Sequence, residues 1–172
     1  MTAPRIGVLV GNPRPRSRTR HVARALAMTL ADRTGADRAE TIDLADHAAV
    51  LFEPDGRNVR RLDHEVRACG LVIVASPAYK ASYTGLLKCF LDRVPGGGWA
   101  GVTAVPLMTA ATPGHAAAAG LALRPVLEEL GAHVPVAGLA FPIADFGRVG
   151  RVVADWVDEH ADRLDATRRA SA

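Results

Sequence analysis

The stretch "RIGVLVGNPRPRSRT", Arg5–Thr19, joins two kinds of sequence that together indicate the fold. Its first six residues, Arg5–Val10, form a short apolar run rich in branched side chains, which is typical of a β-strand buried on both faces. The next nine, "GNPRPRSRT", contain three arginines and two prolines, and a helical pattern begins at Ser17. A buried strand, a basic loop and a helix in this order predict the first unit of a sheet covered by helices.

The same alternation continues along the chain. Short apolar runs predict five strands, at Arg5–Val10, Ala39–Asp43, Leu71–Ala75, Val102–Met108 and Val134–Ala140. Apolar residues that recur at intervals of three and four residues predict five helices, at Ser17–Thr34, Asn58–Ala68, Tyr83–Val94, His115–Leu130 and Val149–Leu164. This order predicts an α/β domain over residues 1–172, with a mostly parallel sheet, helices on both faces, and a frayed tail from about 166.

Composition narrows the possible functions. The 172 residues are 49% hydrophobic, which suits one domain with a sizeable core. There are 21 Lys and Arg against 18 Asp and Glu, and much of the excess lies in the opening loop and the tail. With only 5% aromatic residues, this pattern favours a local anion site over a nucleic-acid surface. Two widely spaced cysteines, no signal peptide and no long apolar span predict a soluble, cytoplasmic protein with no metal site and no membrane partner.

The loop after the first predicted strand is suited to bind an anion. In open parallel sheets, ligands bind beyond the carboxyl ends of the strands, so the loops after strands one, three and four are the places to examine. Arg18 and the hydroxyls of Ser17 and Thr19 lie where a helix begins, and helix N-termini favour phosphate. The stretch lacks both GK[ST] and GxGxxG, which favours a monophosphate. A second interpretation, in which Ser17 only caps the helix and the arginines are solvated, stays open.

Two further loops follow predicted strands. In "SPAYKASYTGLLKCFLDRV", Ser76–Val94, the residues Ala78–Ser82 place backbone amides, an aromatic ring and a cation at the ligand edge. In "MTAATPGHAAAAGLALRPVL", Met108–Leu127, small residues allow a ligand to approach the backbone closely. Each feature also has a structural interpretation: Tyr79 packs at an edge, Lys80 is solvated, and His115 is a structural residue of a helix's first turn.

These three loops together resemble those of the NADPH-dependent FMN reductase family of the flavodoxin-like superfold, especially the small reductases that supply reduced flavin to alkanesulfonate-type monooxygenases. The resemblance runs from Ile6 to about Leu139 and is strongest in "SPAYKASYTGLLKCFLD". "GNPRPRSRT" is similar to the family's GSPRxxSRS/T loop, with Asn12 where serine is usual, and "LRPVLEELGAH" is similar to its "LKPVL" helix. The resemblance implies a flavodoxin-like, five-stranded parallel sheet of order 2-1-3-4-5.

The resemblance also implies a site for FMN. Phosphate contacts are assigned to Ser17, Arg18 and Thr19, contacts to the ring and ribityl chain to Pro77, Ala78, Tyr79 and Lys80, and contacts to the polar edge of the ring to Thr112 and Gly114. Asn12, Arg14, Ser82 and His115 complete the predicted cofactor-binding set, and Arg14 and Arg16 either meet the 2′-phosphate of NADPH or are solvated. Hydride passes from NADPH or NADH to the flavin, so no catalytic side chain and no metal is predicted.

Several alternatives stay open. The chain lacks a tyrosine that the alkanesulfonate-type reductases carry near Leu121, where it is associated with flavin exchange, so FMN is either a substrate or a retained group. An FMN-retaining quinone, azo or metal-ion reductase is one alternative, and a flavodoxin-type electron carrier is a weaker one because this chain is basic. The family also implies a homodimer or homotetramer and a possible monooxygenase partner. Leu86, Phe90 and Val94 either meet the second copy or pack on the sheet.

Overall fold

The computed structural model describes residues 5–170, apart from the side chains of 119 and 166–170. A single five-stranded parallel sheet has the order β2-β1-β3-β4-β5, which confirms the predicted topology. The strands are β1 (Arg5–Val10), β2 (Asp37–Asp43), β3 (Leu71–Pro77), β4 (Thr103–Ala110) and β5 (Leu139–Pro142). The helices are α1 (Arg18–Thr34), α2 (Arg57–Arg67), α3 (Gly85–Leu91), α4 (Pro113–Glu129) and α5 (Val149–Ala170), and 3₁₀ helices span Leu44–Val50 and Ile143–Arg148.

The sheet separates two apolar cores. β3 and β4 are buried along their whole length, as expected for central parallel strands covered on both faces. On one face α1 and α5 pack over side chains such as Leu26, Phe141 and Val157. On the other face α2, α3 and α4 pack around the fully buried Trp99 and Phe90. The carboxyl ends of β1, β3 and β4 therefore meet at one edge of the sheet.

The fifth strand is shorter than predicted. Val134–Ala140 is an apolar run, but β5 begins only at Leu139. The Arg124 guanidinium donates to the carbonyls of Val134 and Val136, with N···O distances of 2.5 and 3.4 Å. These carbonyls therefore bind a side chain from α4. Pro106, the β4 residue just before the first pair with β5, has no amide hydrogen to offer.

The helix predicted over Tyr83–Val94 is confined to α3. Thr84 caps its N-terminus, because the Thr84 Oγ1 accepts a hydrogen bond from the Leu87 amide at 3.2 Å. After α3 the chain turns towards Pro95, and the amides of Arg93 and Val94 each donate a hydrogen bond to the carbonyl three residues earlier. Phe90 and Val94 are buried in the core, so the interpretation in which they pack on the sheet is correct and the one in which they meet a second copy is wrong. Leu86 is partly buried against the same core.

The longest described helix, α5, covers the sheet with one face. Val153, Val157 and Leu164 are buried, whereas Asp158 and Glu159 are exposed. The backbone is helical to Ala170, through most of the segment predicted to be a frayed tail, and residues 171–172 lie outside the described residues. Within the described part of the chain, no helix is both long and apolar enough to cross a membrane.

Candidate functional site

A cleft of about 420 Å³ lies beyond the carboxyl ends of β1, β3 and β4. It brings together predicted residues from the loops after β1 and β3 with residues that the sequence did not single out. The lining residues are Asn12, Arg14, Ser17, Arg18, Thr19, Pro77, Ala78, Tyr79, Thr109, Ala110, Ala111 and Ile143. Larger grooves flank α1 elsewhere, but this cleft occupies the position at which open parallel sheets bind ligands.

The loop after β1 presents the N-terminus of α1 to the cleft. The Ser17 Oγ accepts a hydrogen bond from the Arg20 amide at 3.2 Å, so Ser17 caps the helix and also lines the cleft. The amides of Arg18 and Thr19 belong to the first turn, where helix geometry provides no internal partner. With the exposed Arg18 guanidinium beside them, these groups form a site suited to a phosphate.

A buried chain of polar groups supports this loop from behind. The Asn12 Nδ2 donates to the Thr19 Oγ1 at 3.0 Å, and that hydroxyl shares a hydrogen bond with the Thr109 hydroxyl at 2.7 Å. The Arg14 amide donates to the Asn12 Oδ1 at 2.9 Å, which closes a tight turn in the loop. Because these side chains bind one another, Asn12 and Thr19 hold the loop in place behind the first-turn amides of α1.

Gly11 lets the loops after β1 and β3 lie against each other. A Cβ atom on Gly11 would overlap the Leu87 Cβ, so the position accepts only glycine without movement of α3. The Gly11 amide donates to the Ala75 carbonyl at 2.8 Å, and its carbonyl accepts a hydrogen bond from the Thr84 hydroxyl. The anion-binding helix terminus and the second wall of the cleft are thereby fixed relative to each other.

The second wall is a tight turn after β3. Tyr79 and Ser82 exchange two backbone hydrogen bonds, and both residues between them, Lys80 and Ala81, have left-handed backbones with φ of 52° and 60°. The Ala78 amide donates to the Thr109 carbonyl at 2.8 Å. The amides of Ala78, Tyr79 and Ser82 are thus already bonded and are not free donors for a ligand. The prediction from the sequence that these backbone amides face the ligand is therefore wrong for these three residues. Lys80 and Ser82 lie outside the lining of the cleft.

The loop after β4 contributes different residues from those predicted. Ala110 and Ala111 line the cleft, whereas Thr112 caps α4 by accepting the His115 amide at 3.3 Å. Thr112, Gly114 and His115 are exposed and stand outside the lining. Their assignment to a flavin stays a prediction.

Four lining residues were not predicted from the sequence: Ala110 and Ala111, just described, and Thr109 and Ile143, which were missed for different reasons. Thr109 lies inside a predicted strand–loop junction, but its role depends on Thr19, which is far away in the chain. Ile143 follows β5, so it would have been found had the rule about carboxyl ends been applied to the fifth strand as well.

The fold and the site together define a flavodoxin-like α/β protein, in which the N-terminus of α1 lies beside the uncharged residues Pro77–Tyr79 at the switch point of the sheet. Residues 4–146 match the model of the NADPH-dependent FMN reductase family. The chain belongs to that family.

Individual relatives agree with this assignment. An FMN reductase (NADPH) of Pseudomonas aeruginosa is 32% identical over 96% of this chain and 89% of its own length. An FMN reductase (NADPH) of Escherichia coli K12 is 37% identical over a shorter stretch, 44% of this chain, so the chain spans only 40% of that relative. A crystal structure of the NADH:FMN oxidoreductase EMOB in its apo form superposes with a TM-score of 0.73 at 27% identity, covering 91% of this chain and 89% of that one.

Proposed function

We propose that this protein is an NAD(P)H-dependent FMN reductase in which FMN is an exchanging substrate. The observation that carries the proposal is the cleft that places the N-terminus of α1 opposite the wall Pro77–Tyr79. One end of this cleft suits a phosphate dianion and the other suits a planar ring, which are the two ends of FMN. The names of the relatives, an NADH:FMN oxidoreductase and FMN reductases (NADPH), support the same pair of substrates.

The residues of the chain fit this ligand. Arg18 and the first-turn amides of α1 would bind the phosphate, and Pro77, Ala78 and Tyr79 would orient the ring. When bound, FMN supplies the hydride acceptor, so the protein contributes binding and orientation. Backbone amides of the loop after β4, at and after Ala111, would stabilise negative charge at the ring's polar edge, because the amides of Ala78 and Tyr79 are already bonded.

The exchange of FMN is supported by the openness of its site. Arg18 and Ala111 are exposed and Tyr79 is 46% exposed, so none of these three lining residues is covered in the described part of the chain. The retained-flavin alternative makes a different prediction for the purified protein. A colourless preparation that binds added FMN reversibly supports exchange, and a yellow preparation with one FMN per chain supports a retained group.

Assembly and downstream partners are part of the proposal. The family resemblance supports a homodimer or homotetramer that passes reduced FMN to a monooxygenase in the cytoplasm. With Phe90 and Val94 buried, Leu121 on α4 and Phe52 are exposed large apolar side chains that are available to meet a second copy. Light scattering at micromolar concentration tests this, and a monomer would refute it.

The decisive experiment follows NADPH and NADH oxidation while FMN is titrated. We expect saturable, FMN-dependent oxidation, with kcat/KM for the two nucleotides deciding the preference. If neither nucleotide is oxidised in an FMN-dependent way, the reductase proposal is wrong, and the electron-carrier alternative becomes the better interpretation.

A further inference from the structure

A buried carboxylate lies directly behind the loop that presents the α1 N-terminus. Asp43 is the last residue of β2, is paired in register with Val10 of β1, and is only 2% exposed. It contributes no atom to the lining of the cleft. Its side chain nevertheless interacts with Arg16 in the loop after β1, with Arg20 on α1 and with Ala45 in the following 3₁₀ helix.

Each oxygen of Asp43 has its own partner. The Oδ1 accepts the Ala45 amide at 3.3 Å and so caps the 3₁₀ helix Leu44–Val50. The Oδ2 accepts the Arg16 amide at 3.3 Å and lies 3.7 Å from the Arg20 Nε. That Nε is buried and has no hydrogen-bond partner among the residues that the structure describes, so its interaction with Asp43 is an ion pair without a hydrogen bond. Asp46 is the other nearby acidic group.

The Arg16 amide is the contact that matters for the cleft. Arg16 has a left-handed backbone with φ of 53°, a conformation that costs free energy for a residue with a Cβ atom. It immediately precedes Ser17 and Arg18, so the orientation of its peptide sets the direction in which the helix terminus points. A buried acceptor that bonds the Arg16 amide therefore favours this one orientation.

We propose that Asp43 is a positioning residue for the phosphate of FMN: by bonding the Arg16 amide and pairing with Arg20, it holds the loop so that Arg18 and the first-turn amides of α1 face the cleft. The inference rests on the proposed function. Asp43 acts through Arg16 and touches no ligand, because a carboxylate in contact with a phosphate would repel it.

The test compares FMN with riboflavin, which has the same ring and no phosphate. Binding of each is measured by quenching of flavin fluorescence for the wild type, Asp43→Ala, Asp43→Asn and Asp63→Ala. For Asp43→Ala we expect FMN binding to weaken about tenfold or more, as for one misplaced charge-assisted contact, with riboflavin binding changed less than about twofold. Asp43→Asn keeps one oxygen that can accept the Arg16 amide but loses the charge that pairs with Arg20, so it should restore only part of the FMN affinity.

Asp63→Ala is the matched control for a merely structural effect. Asp63 is also a buried acid, 8% exposed, which accepts the Trp99 Nε1 at 2.8 Å and pairs with Arg67 away from the cleft. Its loss should lower the free energy of unfolding without changing the ratio of riboflavin to FMN affinity. In the ligand-free proteins, amide hydrogen exchange of residues 12–17 should accelerate in Asp43→Ala and not in Asp63→Ala.

The outcomes separate the inference from the proposed function. If the wild type binds FMN and Asp43→Ala binds it equally well, or loses FMN and riboflavin to the same extent, the positioning role is wrong. If Asp43→Ala does not fold, Asp43→Asn must still show a selective loss for FMN, and equal affinities would overturn the inference. If the wild type binds no FMN at all, the proposed function fails first, and the positioning role fails with it.

Discussion

The hydroxyl oxygens of Thr19 and Thr109 lie 2.7 Å apart, although 90 residues separate them in the sequence. Thr19 is in the first turn of α1 and Thr109 is near the end of β4, and both are almost completely buried. The hydrogen bond therefore connects the proposed phosphate site to the strand that leads into the third loop of the cleft.

Replacing Thr109 by valine should weaken this connection without changing the side-chain volume much. We expect the free energy of unfolding to fall by about 0.5–1.5 kcal/mol, the net value of one buried hydrogen bond. FMN binding should weaken as well, because the loop after β1 loses a support. Urea denaturation and flavin titration measure the two effects, and a valine variant equal to the wild type in both would show that the hydroxyl pair is unimportant.

Replacing Arg18 by alanine should remove a charge-assisted contact with the phosphate. We expect FMN binding to weaken by about 1.5–3 kcal/mol, and riboflavin binding to stay nearly constant. Arg24→Ala is the control, since Arg24 is exposed on the same helix but outside the lining of the cleft. Unchanged FMN affinity in a folded Arg18→Ala variant would refute the phosphate assignment.

Enlarging Ala78 to tryptophan should fill the space proposed for the ring. Forcing a bulky side chain into a site shaped for another group costs about 1–3 kcal/mol. FMN and riboflavin should both bind more weakly, in contrast to Arg18→Ala, and the KM for FMN should rise more than kcat falls. If Ala78→Trp oxidises NADPH with wild-type kinetics, the ring lies elsewhere.

The turn after β3 should become more stable when its strain is relieved. Ala81 has a φ of 60°, which costs an alanine about 1–2 kcal/mol and a glycine almost nothing. The greater flexibility of glycine in the unfolded chain offsets part of this gain. Ala81→Gly should still raise the free energy of unfolding. Ala118→Gly, in the exposed middle of α4, should lower it by about 0.5–1 kcal/mol, so the two changes should have opposite signs in thermal unfolding.

The pH dependence of stability should reveal the burial of Asp43. Burial raises the pKa of its carboxyl group above the ordinary value, so the folded chain binds this proton more tightly than the unfolded chain does. The stabilisation is complete below the unfolded pKa and is lost as pH rises through the folded pKa. The wild type should therefore gain stability relative to Asp43→Asn as pH is lowered from neutral.

Asp55 provides a control with the opposite sign. A hydrogen bond from Arg57 lowers the pKa of this exposed carboxyl group, so its small contribution is present above the unfolded pKa and is lost as pH falls. Denaturant unfolding of wild type, Asp43→Asn and Asp55→Asn across an acidic pH series measures both effects. A constant difference between wild type and Asp43→Asn would contradict the assignment of the raised pKa to Asp43.

The sequence alone determined the class of fold, and it predicted the edge of the sheet at which the candidate cleft lies. Apolar runs such as Arg5–Val10 and helical patterns such as that after Ser17 are local signals, because each depends only on neighbours within a few residues. Their alternation predicts a parallel sheet, and in such a sheet the loops after strands one, three and four must meet at one edge. The cleft contains residues of all three loops, from Arg18 and Ala78 to Ala111.

Only the tertiary structure decided which groups within those loops are free. The hydroxyl of Thr19 was expected to meet the ligand, but it is bonded to Asn12 and Thr109. Val134 was expected in a strand, but Arg124 binds its carbonyl. Asp43 had no recognisable motif at all. These outcomes depend on hydrogen bonds between residues that lie from 7 to 90 positions apart in the chain. Such a bond forms only where the folded chain brings a donor and an acceptor within about 3 Å, which no local pattern specifies.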